Sequence, residues 1–298
     1  MMAETLRCHI CSSTQLRPKP FGYRFNGKWL QAIECAGCRV IFIHPQPAAA
    51  EISQLYSKEY FDADFRCGHE GSYFDENTLK GIVDHALLQR IKNFKPGVKF
   101  LEIGCAGGAF LDAARQVGYE VCGVEFSKDA ARFARERFDL RVVTGDLMDA
   151  RFEHSTFDVV FMGDVIEHLP DPVMTLKEIN RIMAEGGLVV LACPTQTNSL
   201  FSRLGFVLFQ TIGKRATVAL PPYHLFEYRP RSMASLLERS GFAVASMSEG
   251  IISPGKVTLR GSTLQKTGKK VLQYPNFILT RMFGIFGDRL EAFAVKRA

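Results

Sequence analysis

Nowhere does the 298-residue chain approach the roughly 18 consecutive apolar residues that a membrane-spanning helix needs, which excludes a helical integral membrane protein. The first residues, Met-Met-Ala-Glu-Thr-Leu-Arg-Cys, carry no apolar signal region, so a cytoplasmic rather than a secreted protein is expected. Internal repeats and low-complexity segments are also missing. With 47% hydrophobic and 23% charged residues, what remains is a globular chain able to bury one sizeable core beside a small appended module.

Acidic residues are scarce toward one end. From Ser199 onward the chain has 15 Lys/Arg against 5 Asp/Glu, a surplus of ten, while the preceding part is net negative by four. Such a basic third either binds an anionic partner, with nucleotide-sugars, lipid phosphates and membrane surfaces as candidates, or is a solvated face with no partner.

The eight cysteines divide unevenly. Cys8-x-x-Cys11 and Cys35-x-x-Cys38 form two pairs 23 residues apart, whereas Cys67, Cys105, Cys122 and Cys193 are scattered. Two such pairs offer the four-thiolate cage that Zn²⁺ prefers, each pair chelating from one tight turn. A single pair would read as a redox site; the duplication argues for metal, with disulfides or an empty site as the alternatives. One metal site plus free thiols suits a reducing cytosol. His9 and His44, near the pairs, read as bystanders.

Three parts follow from the patterning. Residues 1–47 form the ribbon, in which Val40–Ile43 alternates as a strand that His44-Pro45-Gln46-Pro47 breaks. Residues 48–97 are a helical linker or cap. It has helical spacing from Ala48 to Tyr60, then an amphipathic helix from Thr78 to Phe94 with Ile82, His85, Ala86, Gln89 and Phe94 near one stripe. Residues 98–298 alternate strand and helix. The strands are Lys99–Ile103, Glu120–Val124, Arg141–Thr144, Phe157–Met162 and Leu188–Ala192, with an antiparallel pair, Phe242–Met247 and Arg289–Lys296, closing the sheet. The fold class is therefore α/β: a doubly wound, mostly parallel, seven-stranded sheet that binds its ligand at the carboxyl ends of the strands. Residues 195–229 interrupt the rhythm as an insertion.

Where the first of these strands meets its helix stands Leu101-Glu102-Ile103-Gly104-Cys105-Ala106-Gly107-Gly108. Small residues let the backbone approach a ligand closely, but a glycine-rich turn alone also fits NAD or no ligand. Glu125 ends the next strand, where a carboxylate can accept both ribose hydroxyls, and Gly145-Asp146-Leu147 ends the third, beside the expected adenine edge. Glu102 narrows the choice. A carboxylate there suits a ligand carrying an ammonium and a sulfonium, and it suits a pyrophosphate poorly.

These segments, with Asp158–Pro172, resemble the motifs of class I S-adenosylmethionine-dependent methyltransferases, a Rossmann-like fold. The most specific piece is Phe157-Asp158-Val159-Val160-Phe161-Met162-Gly163-Asp164-Val165-Ile166-Glu167-His168-Leu169-Pro170-Asp171-Pro172. The resemblance implies that S-adenosyl-L-methionine is the cofactor. Glu102 and Gly104 would line its methionine side, Glu125 its ribose, and Asp146 with Leu147 its adenine, while Ala106, Gly108, Phe126, Gly145 and Asp164 complete the cofactor-binding set. Ala106 stands where the family has the middle glycine of its loop; altered local packing and retained binding are expected. The ribbon, followed by Phe42–Pro47 and Tyr56 to Tyr60, is similar to the start of bacterial methyltransferases of surface-polysaccharide and deoxysugar pathways. There the ribbon helps hold a nucleotide-linked sugar; here it either does the same or only braces the fold.

On the acceptor side, Phe201, Leu204, Phe206, Val207, Leu208, Phe209 and Ile212 make an apolar stretch next to Lys214 and Arg215. It reads as a lid helix, as an interfacial helix in peripheral contact with the inner face of the membrane, or as a helix packed on its own domain or a partner. His224, before the last helix at Pro230–Ser240, resembles a family histidine that enters the active site. With His168 it is a candidate catalytic base, since an oxygen or carbon nucleophile must lose a proton; packing roles for both stay open. Lys256, Arg260, Lys266, Lys269 and Lys270 mark a basic loop. The expected activity is methyl transfer to a small or carrier-linked anionic acceptor, a sugar first. The alternatives are a membrane-associated quinone or lipid O-methyltransferase and a zinc-ribbon nucleic-acid or scaffold protein with a vestigial fold. Nucleic acid is not the expected partner, because aromatic residues do not interleave the basic cluster.

Overall fold

A computed structural model describes residues 5–48, 50–52, 74–195, 197–218, 221–253 and 263–297. At the centre of its main sheet lie apolar runs that are buried on both faces. The strands are β4 (Lys99–Ile103), β5 (Glu120–Glu125), β6 (Val142–Thr144), β7 (Phe157–Gly163), β8 (Met183–Pro194), β11 (Phe242–Gly250) and β12 (Arg289–Lys296). Their order is β11-β12-β8-β7-β4-β5-β6. β4 pairs parallel with β5 and β7, β5 with β6, and β7 with β8, whereas β12 runs antiparallel between β8 and β11. The expected α/β sheet is present. Phe100, Leu101, Val159, Val160, Leu188, Val189 and Val190 are fully buried, as a parallel sheet covered on both faces requires.

Helices begin where the chain offers a cap. Ser127 Oγ accepts the Ala130 N–H at the start of α4 (Lys128–Phe138), and Asp171 accepts the Met174 N–H at the start of α5 (Pro172–Ile182). Between the central β4 and β5 lies α3 (Ala109–Gln116), whose N-cap is Gly108.

Two expectations need correction. The single helix over 78–94 is two, α1 (Glu76–Ile82) and α2 (His85–Phe94), parted by Val83 and Asp84, whose carboxylate caps the second by accepting the Leu87 N–H. The stripe through His85, Ala86 and Gln89 faces solvent; the buried face is Leu87, Leu88 and Ile91, which pack with Phe100 and Tyr119. The physical reason is simple: three aliphatic side chains outcompete a polar stripe for the core. In the basic loop, Lys266, Lys269 and Lys270 belong to a helix, α8 (Thr263–Phe283), while Lys256, Arg260 and the expected helix beyond Ile52 lie outside the described residues.

A second sheet carries the cysteine pairs. β1 (Leu16–Phe25), β2 (Lys28–Cys35) and β3 (Ile41–His44) form an antiparallel meander, joined on its two edges by segments from the 195–229 region: β9 (Ala216–Val218) beside β1 and β10 (Phe226–Glu227) beside β3. Between Pro194 and β9, α6 (Leu200–Thr211) lays Phe206 flat on Phe21 of β1, with the Lys19 ammonium over the Phe206 ring. Leu204, Val207, Leu208 and Ile212 of this segment are left exposed. α7 (Pro230–Arg239) then leads to β11.

Candidate active site

All of the sequence-singled residues between Glu102 and Asp164 converge at the carboxyl ends of β4 to β7. The loop from Gly104 to Gly108 turns tightly enough to need left-handed backbone at three positions. Gly104 (φ +73°) lies against Val165, whose Cγ2 a side chain at 104 would strike. Gly108 (φ +83°) has room for no Cβ, which would fall 2.8 Å from both Ala134 Cβ and Leu140 Cδ1. Between them Ala106 adopts φ +46°, a region where a glycine costs less. The departure from the family's glycine is therefore carried as backbone strain rather than as a clash.

Two carboxyls stand under this loop. Glu125 Oε2 accepts the Ala106 N–H at 2.8 Å and its Oε1 accepts the Ser127 N–H at 2.8 Å, which fixes the loop to the end of β5. Glu102 is buried, and its Oε2 has no hydrogen-bond partner among the described residues. Burial, and then the nearby Glu125 charge, push the Glu102 carboxyl well above the usual carboxylate range. An orphaned buried acid beside a second acid fits a cationic ligand, whose ammonium or sulfonium would relieve both effects. Farther along the rim, Phe126 is 51% exposed, Gly145 has φ +134°, Asp146 is exposed and exchanges hydrogen bonds with Asp149, and Leu147 is buried. Asp164, at the end of β7, pairs with Arg289 at 2.8 Å. That ion pair was not foreseen; it joins positions 125 residues apart.

His168 and His224 come together, their rings 5.0 Å apart and edge to face. The turn holding His168 is stitched to the 223–228 segment: the Leu225 N–H donates to the Glu167 carbonyl at 2.8 Å, and the Tyr228 hydroxyl donates to the Ile166 carbonyl at 3.3 Å. His168 Nδ1 lies 2.7 Å from the Tyr223 carbonyl oxygen. His224 Nδ1 lies 3.6 Å from Glu227 Oε1. Burial opposes a charge on His224, but Glu227, Glu167 and Asp164 outweigh it and raise its pKa. Glu167, to which the sequence pattern assigns no role, is the most buried acid here. Burial, then Asp164, push its carboxyl up to about 8. Its position next to His168, in a turn leaving a central strand, was the available signal.

The cysteine pairs also meet. Cys8 Sγ is 3.6 Å from Cys38 Sγ and Cys11 Sγ is 3.5 Å from Cys35 Sγ, and all four sulfurs lie within 4.8 Å of one another. A tetrahedral zinc site with Zn–S of about 2.3 Å has sulfur–sulfur edges of about 3.8 Å, whereas a disulfide needs about 2.05 Å. The thiols therefore fit a metal cage and are unbonded to one another. Each knuckle closes alike, with Ser12 and Arg39, the residues after the second cysteines, at φ +60° and +71°. His9 packs edge-on against Phe42 and Phe226, a structural place.

Among known proteins, a family model described as a methyltransferase domain matches residues 74–247. The demethylmenaquinone methyltransferase of Staphylococcus saprophyticus is 34% identical over 131 residues, covering 40% of this chain and 56% of that protein. The Staphylococcus aureus protein of the same name is 31% identical over 126 residues, covering 40% and 52%. The chain thus spans about half the length of these relatives. In fold it is similar to the Haloferax volcanii complex of the Trm112 methyltransferase activator with a putative methyltransferase (TM-score 0.53, 19% identity, 76% of this chain and 96% of that one). A putative methyltransferase of Bacillus halodurans gives a TM-score of 0.50 at 18% identity, covering 72% and 99%.

Proposed function

Because the chain belongs to the methyltransferase-domain family, we propose that it transfers a methyl group from S-adenosylmethionine to a small or carrier-linked acceptor, a sugar or nucleotide-linked sugar of polysaccharide biosynthesis first. The observation that carries the cofactor assignment is the buried Glu102 carboxyl, its Oε2 without a partner among the described residues, beside Glu125 beneath the glycine loop. Glu102 and Gly104 would face the methionine end, Glu125 the ribose, and Asp146 with Leu147 the adenine; Ala106, Gly108, Phe126, Gly145 and Asp164 complete the wall. Once bound, the sulfonium supplies an already activated methyl. The task of the chain's own residues is to hold an acceptor in line with the carbon–sulfur bond and keep water out.

Glu167, His168 and His224 form the polar end of that space, where an acceptor hydroxyl would be polarised or deprotonated. The Cys8, Cys11, Cys35 and Cys38 cage would hold a structural Zn²⁺. What supports an acceptor role for the ribbon is connectivity: His224 precedes β10 by two residues, and β10 pairs Phe226 with Phe42 of the ribbon. We read the chain as a ribbon (1–47), a helical cap (48–97) and a catalytic domain (98–298) whose 195–229 insertion reaches back into the ribbon sheet. A cytoplasmic location goes with this reading.

A second reading, a quinone or lipid acceptor at the membrane surface, is favoured by one observation. Leu204, Val207, Leu208 and Ile212 are exposed in and just after α6, and α6 contacts α8, whose Ile278, Met282 and Phe283 are exposed as well. Methyl-labelled S-adenosylmethionine, offered with a nucleotide-sugar pool and with a membrane lipid extract, separates the two. Label in the polar fraction supports the sugar reading and label in the lipid fraction the second. Cofactor binding with label in neither contradicts both acceptor classes.

A further inference from the structure

One ligand atom each from Glu167, His168 and His224 lies within 4.8 Å of the other two. Three features make this more than a chance meeting. Glu167 is fully buried, and neither of its carboxylate oxygens has a hydrogen-bond partner among the described residues. His168 Nδ1 is 2.7 Å from the Tyr223 carbonyl, an oxygen that can only accept; Nδ1 therefore carries the hydrogen, and in the neutral ring Nε2 carries the lone pair. That Nε2 lies 3.5 Å from Glu167 Oε1, so the second imidazole nitrogen and the buried acid border one small space. His224 in turn has its Nδ1 beside the buried Glu227 carboxylate, the kind of outer partner that orients a ligating imidazole. The charge balance agrees: Asp164, Glu167 and Glu227 gather here, and the guanidinium of Arg289 is engaged by Asp164.

We propose that Glu167, His168 and His224 form a second metal site, distinct from the cysteine cage, that takes a divalent cation of the borderline class such as Mn²⁺, Fe²⁺, Co²⁺ or Zn²⁺. Two imidazoles with one carboxylate select this class over Ca²⁺ and Mg²⁺, which prefer all-oxygen shells. The 3.5 Å separation matches the edge of about 3.4 Å that two ligands at about 2.1 Å span around a tetrahedral ion. Three protein ligands leave at least one coordination position open toward the acceptor space. An acceptor oxygen placed there would be polarised directly, as catalytic rather than structural metal sites do. That role rests on the methyl-transfer reading; occupancy of the site does not.

The test uses protein carrying one Zn²⁺ per chain, enough to fill the cysteine cage alone, titrated with Mn²⁺ in metal-free buffer without cofactor or acceptor. Free Mn²⁺ is followed by electron paramagnetic resonance. The expected result is one Mn²⁺ bound per chain, with affinity reduced at least about 10-fold in Glu167→Gln and in His224→Gln while zinc content stays at one per chain. Wild-type protein that binds no Mn²⁺, and that offered excess Zn²⁺ retains only one equivalent, would overturn the proposal whatever the variants do. So would Mn²⁺ binding equally strong in both variants.

Discussion

At the scale of single residues, the cofactor loop shows how backbone geometry decides what a side chain may be. Gly108 combines φ +83° with two apolar neighbours at 2.8 Å from where a Cβ would lie, so Gly108→Ala must both strain the backbone and displace Ala134 or Leu140. A loss of roughly 2 kcal/mol is expected, read as a lower urea midpoint with unchanged slope. Ala106→Gly should go the other way by at most about 1 kcal/mol, because relief of left-handed strain is partly offset by the freer unfolded chain. The glycines were legible from their spacing, as was the proximity of Glu102 and Glu125 to the loop. The strain at Ala106 was not, since nothing in an alanine announces a positive φ. Nor was the orphaned state of Glu167, which depends on partners brought from the 223–228 segment.

At the scale of elements, the long, regular ones were readable and the short ones were not. β4 to β8 follow apolar runs, and α4 and α5 follow their caps, so local pattern and tertiary structure agree. β9 and β10 have three and two residues, too few to show any alternation, and they exist because the ribbon's edges are there to pair with. The same joint is pinned electrostatically. Glu34, 6% exposed on β2, accepts from Lys19 at 3.2 Å, Arg39 at 2.8 Å and Arg229 at 3.2 Å, the last from the start of α7. Arg229 is itself largely buried, and that burial lowers its pKa despite Glu34. Glu34→Ala leaves that guanidinium uncompensated and should cost about 3 kcal/mol of stability. The exposed pair Asp129–Arg132, at 2.8 Å, is the control: Asp129→Ala should cost less than about 0.5 kcal/mol. Equal losses in the two variants would show that Glu34 is not the joint.

At the scale of the whole molecule, two sheets share one chain path that leaves the central sheet after β8, completes the ribbon sheet and returns through α7 to β11. The doubly wound sheet was legible because strand–helix alternation is a local signal. The interleaving was not, because pairings such as Phe226 with Phe42 join positions far apart in sequence. One consequence concerns metal removal. A Zn²⁺ in the cysteine cage would brace the ribbon, the ribbon pairs with β10, and β10 adjoins His224, whereas Glu102 and Glu125 belong to the other sheet. Stripping zinc with a chelator should therefore lower the thermal midpoint and depress methyl transfer far more than it weakens cofactor binding. Equal loss of both would mean that the two sheets fail as one unit.

Glu102 and Glu125, beneath the glycine loop at the ends of β4 and β5, are proposed to receive a cationic nucleoside. Calorimetric titration of zinc-replete protein with S-adenosylmethionine and, separately, NAD tests this proposal most directly, run in two buffers of different ionisation enthalpy. Burial and Glu125 raise the pKa of the Glu102 carboxyl in the free chain, and an arriving cation, by favouring the ionised form, lowers it again. Micromolar binding of S-adenosylmethionine, about −8 kcal/mol, is predicted, with proton release that shows as a dependence of the heat on the buffer. The buffer dependence should vanish in Glu102→Gln, binding should be lost in Glu125→Ala, and NAD should not bind. Folded protein that ignores S-adenosylmethionine, or that prefers NAD, would contradict it.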